Sequence, residues 1–417
     1  MLNRRPLRFW AKWVTRVTVL LLVIFLQVTP FVYASSAGAG TSGLPPPATA
    51  STETPVQLAA KQYSAISNNA IESAWNALVV NYGGFLPTDG TGQFVSSFMP
   101  GANGLQYSNI GTGMFRFLLQ ALWQDARLFG TLLILAALIS VLETMQTAFA
   151  SEMVGKVAFL VVHLVLLVLA VTSFRDATQF ASGAIDTMTS VMLGSLPVVM
   201  ALISASGGLT SAATFHPLIV FIVNAMGFMV QKWVFPIIFF SAVLMIVSTI
   251  SSRYKLTELA GFMRSVTVFA LGLAMSTFLG VMSIQGSIAG IADGVTLRSA
   301  KFVASTFVPI LGKPLSDASA TIAGASLIVK NATGMASAIV LLLICAFPAL
   351  KILALSIVYN GSAALMQPLG DSPIVKSLST IGKSFALIFA ALVVVGLMFF
   401  FSMVITIAAT NLTAFVR

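Results

Sequence analysis

Residues 336–359, ASAIVLLLICAFPALKILALSIVY, and residues 384–408, SFALIFAALVVVGLMFFFSMVITIA, decide the fold. Each exceeds the roughly 20 residues that a helix needs to cross about 30 Å of hydrocarbon. The second run carries no charge and the first only Lys351. In lipid, every backbone N–H and C=O must be paired internally, so uninterrupted apolar runs of this length are helices. Working outward, six further runs read as candidate spans: 128–145, 157–174, 188–204, 218–229, 234–250 and 262–284. The segment 188–204 contains Pro197, and 218–229 is short, so both read as re-entrant or as tilted parts of a hairpin. The expectation is an all-α polytopic membrane protein of about seven spans.

Composition agrees. Of the 417 residues 58% are hydrophobic and only 8% charged, with a mean hydropathy of +0.97. A soluble domain carries roughly a quarter charged residues, so this chain lacks the charge to coat a water-facing surface. The formal charge is +10, but Arg4, Arg5, Arg8, Lys12 and Arg16 supply five of it, leaving +5 (10 − 5) on the remainder. No Lys/Arg stripe with interleaved aromatics is present, which argues against nucleic-acid binding. A single cysteine, Cys345, excludes an intramolecular disulfide and a cysteine-based metal cluster, and reads as a small buried hydrophobe.

Residues 1–34 have the three parts of a signal peptide: a basic region to Arg16, an apolar core Val17–Val28, and Val32-Tyr33-Ala34 before an expected cleavage site. The rival reading is an uncleaved anchor, and either one exports the residues after it. Residues 35–54 are mostly Ser, Ala, Gly, Thr and Pro, a flexible linker. Residues 56–80 space Ile66, Ile71, Trp75 and Leu78 among polar residues, an amphipathic helix for the membrane or a partner. Residues 81–113 read as extracytoplasmic loop. The membrane domain therefore occupies 114–417.

If all eight candidates cross, the basic loops 146–156, 251–264 and 360–383 face the cytoplasm, as the positive-inside rule asks. The segment 285–335, with Arg298, Lys301, Lys313 and Lys330, then faces out against that rule. One broken span would flip the second half, so its orientation stays open.

Two stretches, 185–285 and 297–408, look like degenerate copies. Leu196-Pro197-Val198, Asn224-Ala225-Met226-Gly227 and Phe235-Pro236 correspond to Val308-Pro309-Ile310, Asn331-Ala332-Thr333-Gly334 and Phe347-Pro348. Internal repeats are frequent in transport proteins, with polar sites where broken helices meet, here around Pro197 and Pro309. The copies would be inverted if each crossed an odd number of times.

No catalytic constellation is present. His163 and His216 lack close acidic or cysteine partners and read as hydrogen-bonded helix histidines. There is no P-loop and no GxSxG motif. Lys351 inside an apolar run calls for an acid, water or a protein contact, unless Pro348 breaks the helix and lets it snorkel. Glu143 has the same ambiguity. In 297–334, LRSAKFVASTFVPILGKPLSDASATIAGASLIVKNATG, the small residues Ala320 and Gly324 are spaced for close helix approach. This stretch reads either as an interfacial helix with a packed turn or as a re-entrant element lining a pathway.

In this stretch the chain resembles the stage III sporulation protein AE family of endospore-forming bacteria. Arg298–Gly334 carries the resemblance, chiefly Lys301, Pro309, Gly312, Ser316-Asp317 and Lys330-Asn331, together with Ala363–Pro368, Asp371, Met398-Phe399-Phe400 and Asn411. It covers roughly 115–417; Pro314 after Lys313 is a conservative departure. The resemblance implies a multispanning subunit, without a cofactor, of a secretion-like channel or feeding tube joining mother cell and forespore. Its implied partners are the other subunits of the stage III sporulation A complex, including an ATPase and ring-forming proteins, and a forespore-side channel protein. Its implied place is the mother-cell membrane around the forespore, and it is not expected to be an enzyme. The competing reading is an autonomous secondary transporter of small solutes, favoured by the repeat and Lys351. Candidate residues for pore lining, helix packing or partner contact are Lys301, Pro309, Gly312, Lys313, Asp317, Gly324, Lys330, Asn331, Pro348, Lys351, Gln367 and Pro368.

Overall fold

The computed structural model describes residues 58–59, 61, 69–86, 94–98, 107–148, 152–250, 256–307, 312–369 and 372–415. The expected signal peptide and linker, 1–54, and Pro309 lie outside the described residues. All regular structure among the described residues is helical: α1 (Asn69–Tyr82), α2 (Tyr107–Gln124), α3 (Ala126–Ala148), α4 (Glu152–Ala205), α5 (Leu209–Met229), α6 (Phe235–Ile250), α7 (Thr257–Phe307), α8 (Gly312–Met366) and α9 (Pro373–Phe415). The helix α2 starts inside the stretch expected to be loop. Among the described residues five helical stretches are long and apolar enough to cross a membrane, or six with the pair α2–α3, bent by 45° at Asp125, counted as one. The chain is thus an all-α polytopic membrane protein.

Among the described residues the eight candidate runs fall on six helical stretches, because prolines read as breaks lie inside continuous helices. Candidates 157–174 and 188–204 are parts of one helix, α4, which runs through Pro197. Candidates 218–229 and 234–250 join through a π turn, Val230–Val234. There the Phe235 N–H reaches the carbonyl of Val230, five residues back, which absorbs the N–H missing at Pro236. Helix α8 likewise continues through Pro348. At 55 residues it is about 80 Å long, so it extends well beyond the hydrocarbon layer.

The true break after α4 is a glycine turn. Gly207 has φ 97°, where a side chain would be strained. Its N–H reaches the carbonyl of Ser204 at 3.0 Å, and the N–H of Gly208 reaches that of Ile203 at 2.9 Å. This pair of bonds closes a Schellman C-cap.

Contacts fix the helix directions. Ser173 and Tyr359 share a hydrogen bond of 2.9 Å, while Leu202 packs with Val329, so α4 and α8 are antiparallel. Asp186 accepts from Gln231 at 2.7 Å and Phe174 lies 5.0 Å from Phe239, so α5–α6 also opposes α4. Ser241 donates to the Ala260 carbonyl at 2.8 Å, returning α7 along α6. Ser356 donates to Gly382 at 2.8 Å and Lys330 to Asn411 at 2.7 Å, which makes α9 antiparallel to α8. Taken in chain order, α5–α6 followed by α7 therefore runs in the same sense as α8 followed by α9. The ends of α3, α6 and α8 gather at one end of the bundle, those of α4 and α7 at the other.

Helices α8 and α9 form the centre, with 61% of their most apolar windows buried, and α7 is peripheral at 28%. Their contact is closer than ordinary side chains permit. A Cβ at Gly396 would collide with the Cys345 side chain, one at Gly334 with Ile407, and one at Gly382 would lie 2.9 Å from the backbone nitrogen of Asn360. Gly324 was expected to serve such an approach, but a Cβ there meets nothing. The amphipathic helix α1 buries Ile71, Ala74, Trp75 and Leu78 within the chain itself, against α4 and α8.

Gly382→Ala and Gly396→Ala are expected to destabilise the folded protein by about 1–3 kcal/mol through overpacking. Gly272→Ala and Gly280→Ala, where a Cβ meets only open space, should be neutral or gain up to about 1 kcal/mol of helix stability. Thermal melting in detergent reads all four. Cys345→Ala removes the sulfur but keeps its Cβ, so it should relieve part of the defect of Gly396→Ala and leave that of Gly382→Ala intact.

Candidate functional site

The polar residues of the bundle converge on α8, at three heights. Nearest its N-terminal end, Lys330 is fully buried and its ammonium donates to Oδ1 of Asn411 on α9 at 2.7 Å. These two residues, 81 positions apart, both belong to the resemblance read from the sequence. One position on, the buried Oδ1 of Asn331 has no hydrogen-bond partner among the described residues.

At mid-height, Lys351 donates to Oδ1 of Asp125 at 3.2 Å and to Oε1 of Gln124 at 3.3 Å. Both acceptors sit where α2 bends into α3. Because Pro348 leaves α8 unbroken, Lys351 stays inside the helix and takes an acid as its partner. The pair is mostly buried, with side-chain exposures of 18% and 16%. At the third height the Tyr359 hydroxyl meets Ser173 and donates to the Leu169 carbonyl at 3.3 Å. The ring of Tyr359 is tilted against Phe385, 5.1 Å away.

Several other sequence candidates are placed by their helix or turn alone. Lys301 lies on the last turns of α7, and Gly312, Lys313 and Asp317 on the first turns of α8. Gln367 and Pro368 occupy an exposed 3₁₀ turn between α8 and α9. Among the described residues no group of three or more His, Cys, Asp or Glu side chains could hold a metal ion. His163 is buried, and His216 is exposed.

Sequence reasoning missed Asp293. It is buried on α7 and accepts from the backbone N–H groups of Thr210 at 2.8 Å and Ser211 at 3.1 Å. The N-cap position of α5 is Gly208, which has no side chain to offer. Asp293 supplies the missing cap from another helix, and its negative charge suits the positive end of the α5 dipole. The signal was available: Asp293 is the one acid in the long apolar stretch 265–297.

A family model described as stage III sporulation protein AE matches residues 90–410. The chain is 41% identical over 365 residues to a protein of Bacillus subtilis (strain 168) described as "Stage III sporulation protein AE". That alignment covers 88% of this chain and 91% of the other. No solved structure matches the chain.

Breaking the mid-height pair should leave an uncompensated charge. Lys351→Met and Asp125→Leu are each expected to cost about 3 kcal/mol, and the double variant less than either alone. A double-mutant cycle on unfolding in detergent measures this; a coupling below about 0.5 kcal/mol would show that the pair does not hold the α2–α3 bend to α8.

Proposed function

Since the chain belongs to the stage III sporulation protein AE family, and so has a role in sporulation, we propose that it is the multispanning subunit of the channel linking mother cell and forespore. The observation that carries this reading is the family match across nearly the whole helical bundle, 90–410. In this reading the protein sits in the mother-cell membrane around the forespore. It assembles there with other subunits of the stage III sporulation A complex and with a forespore-side channel protein. A companion ATPase supplies the energy, and this chain is not itself an enzyme.

The geometry supports such a role in two ways. Polar side chains are tied to one another inside the bundle, which suits a rigid scaffold in lipid. In sequence, the segments that follow α3, α6 and α8 carry Lys156, Arg253, Lys255 and Lys376. By the positive-inside rule the end of the bundle where these helices finish faces the cytoplasm, and the region before α2 is then exported.

Deleting the gene in frame, with complementation from a mother-cell-only promoter, tests the proposal. Normal vegetative growth, small or collapsed forespores and loss of heat-resistant spores, all rescued from the mother cell, are the expected outcome. Normal spores, or a growth defect in rich medium, would favour the autonomous transporter instead.

A further inference from the structure

Pro348 leaves a second trace. It has no N–H to give to the carbonyl of Ile344, one turn earlier on the same face of α8. Ile344 and Pro348 both line a groove of about 530 Å³ between α1, α4 and α8. The freed carbonyl thus belongs to a groove-lining residue, midway along the apolar run 336–359.

The groove carries more acceptors. Asp176 and Gln179 line it from α4, and Asn81 from α1. Among the described residues none of these three side chains makes a hydrogen bond or ion pair, whereas the nearby exposed carboxylate of Asp186 is engaged by Gln231 at 2.7 Å. Among the described residues Asp176 is the only formally charged side chain lining the groove; Arg175, its neighbour in sequence, does not line it. Thr187 also lines it, its hydroxyl donating to the Gly183 carbonyl at 2.8 Å, and most of the remaining wall is apolar. Leu78 and Ala184 contribute to it, and Phe180 is 44% exposed. Tyr82 is a fixed wall, stacked on Phe347 with ring centroids 4.1 Å apart and edge-on to Phe117 at 5.5 Å.

A lone carboxylate, a freed backbone carbonyl, two amide oxygens and an open aromatic face all attract the same kind of group. We propose that this groove is a binding site for a primary organic ammonium with a short apolar body. The ammonium sits against Asp176 and the Ile344 carbonyl, and the face of Phe180 adds a cation–π contact. The body lies along Leu78 and Ala184. The volume falls in the range of small-molecule sites, and is too large for a bare metal ion. Nothing in this assignment depends on the channel role.

The test uses the full-length protein in nanodiscs, titrated calorimetrically with n-hexylammonium and, as matched probes, hexanol and hexanoate, with empty nanodiscs subtracted. Hexylammonium is expected to bind at least tenfold more tightly than either. Asp176→Asn should reduce it to the level of hexanol without moving the melting temperature, since Asp176 is exposed. Asp186→Asn should leave binding unchanged. Gly183→Leu grows a side chain from a groove-lining position where a Cβ meets nothing within 4 Å, so the protein still folds and binding is lost. Hexylammonium binding no tighter than hexanol, or undiminished binding in either Asp176→Asn or Gly183→Leu, overturns the proposal.

Discussion

Helices α8 and α9 lie so close that glycine is required at three heights, and the rest of the bundle is arranged around that contact. Lipid tails are as apolar as leucine, so burying apolar side chains between two membrane helices gains little from the hydrophobic effect. Close van der Waals packing and interhelical hydrogen bonds have to hold them. Gly334, Gly382 and Gly396 provide the closeness. Ser356 to the Gly382 carbonyl, Cys345 to the Leu392 carbonyl and Lys330 to Asn411 provide the bonds. With α9 central, α4, α6 and α7 all reach it.

The same scarcity of water explains how the chain treats its prolines and helix ends. An unpaired peptide group costs several kcal/mol in hydrocarbon, so each break needs a partner. Pro236 is accommodated by one wide turn, and the α4–α5 break by a glycine C-cap on one side and Asp293 on the other. Asp293 thereby ties three helices together, since it sits on α7 and closes the start of α5 directly after α4 ends. Lys351 plays the corresponding part for the bent pair α2–α3.

How much of this was legible depends on the range of each signal. The apolar runs 336–359 and 384–408 identify spans without any tertiary information. The merging of 157–174 with 188–204 was not legible, because Arg175, Asp176 and Asp186 interrupt the hydropathy while the backbone stays helical. That Lys351 needs an acid is clear from its surroundings. That the acid is Asp125, 226 positions away, depends on how α2 and α3 fold back. Small-residue spacing pointed to Gly324, yet the glycines used in packing are far apart in sequence and bear no such spacing, since their partners lie on an opposing helix. Asp293 could have been singled out as an isolated acid, but its role as a cap required knowing where α4 ends.

The central packing also constrains any conduit to which this protein contributes. Opening a path between α8 and α9 would separate glycine contacts made against the Asn360 backbone and the Cys345 side chain, and would leave Lys330 and Asn411 without each other inside the membrane. Each of those losses leaves a polar group or a void in a medium that offers no replacement. The periphery has no such penalty. Along α7, Phe262, Phe269, Leu273, Ile284 and Ile291 are exposed, and Gly272 and Gly280 have open space beside them. From Phe262 to Ile291 this face runs about 44 Å at 1.5 Å per residue, longer than the roughly 30 Å of hydrocarbon that lipid can cover. Packing energy therefore disfavours a conduit through the α8–α9 centre and favours one bounded by the outer helices of the bundle.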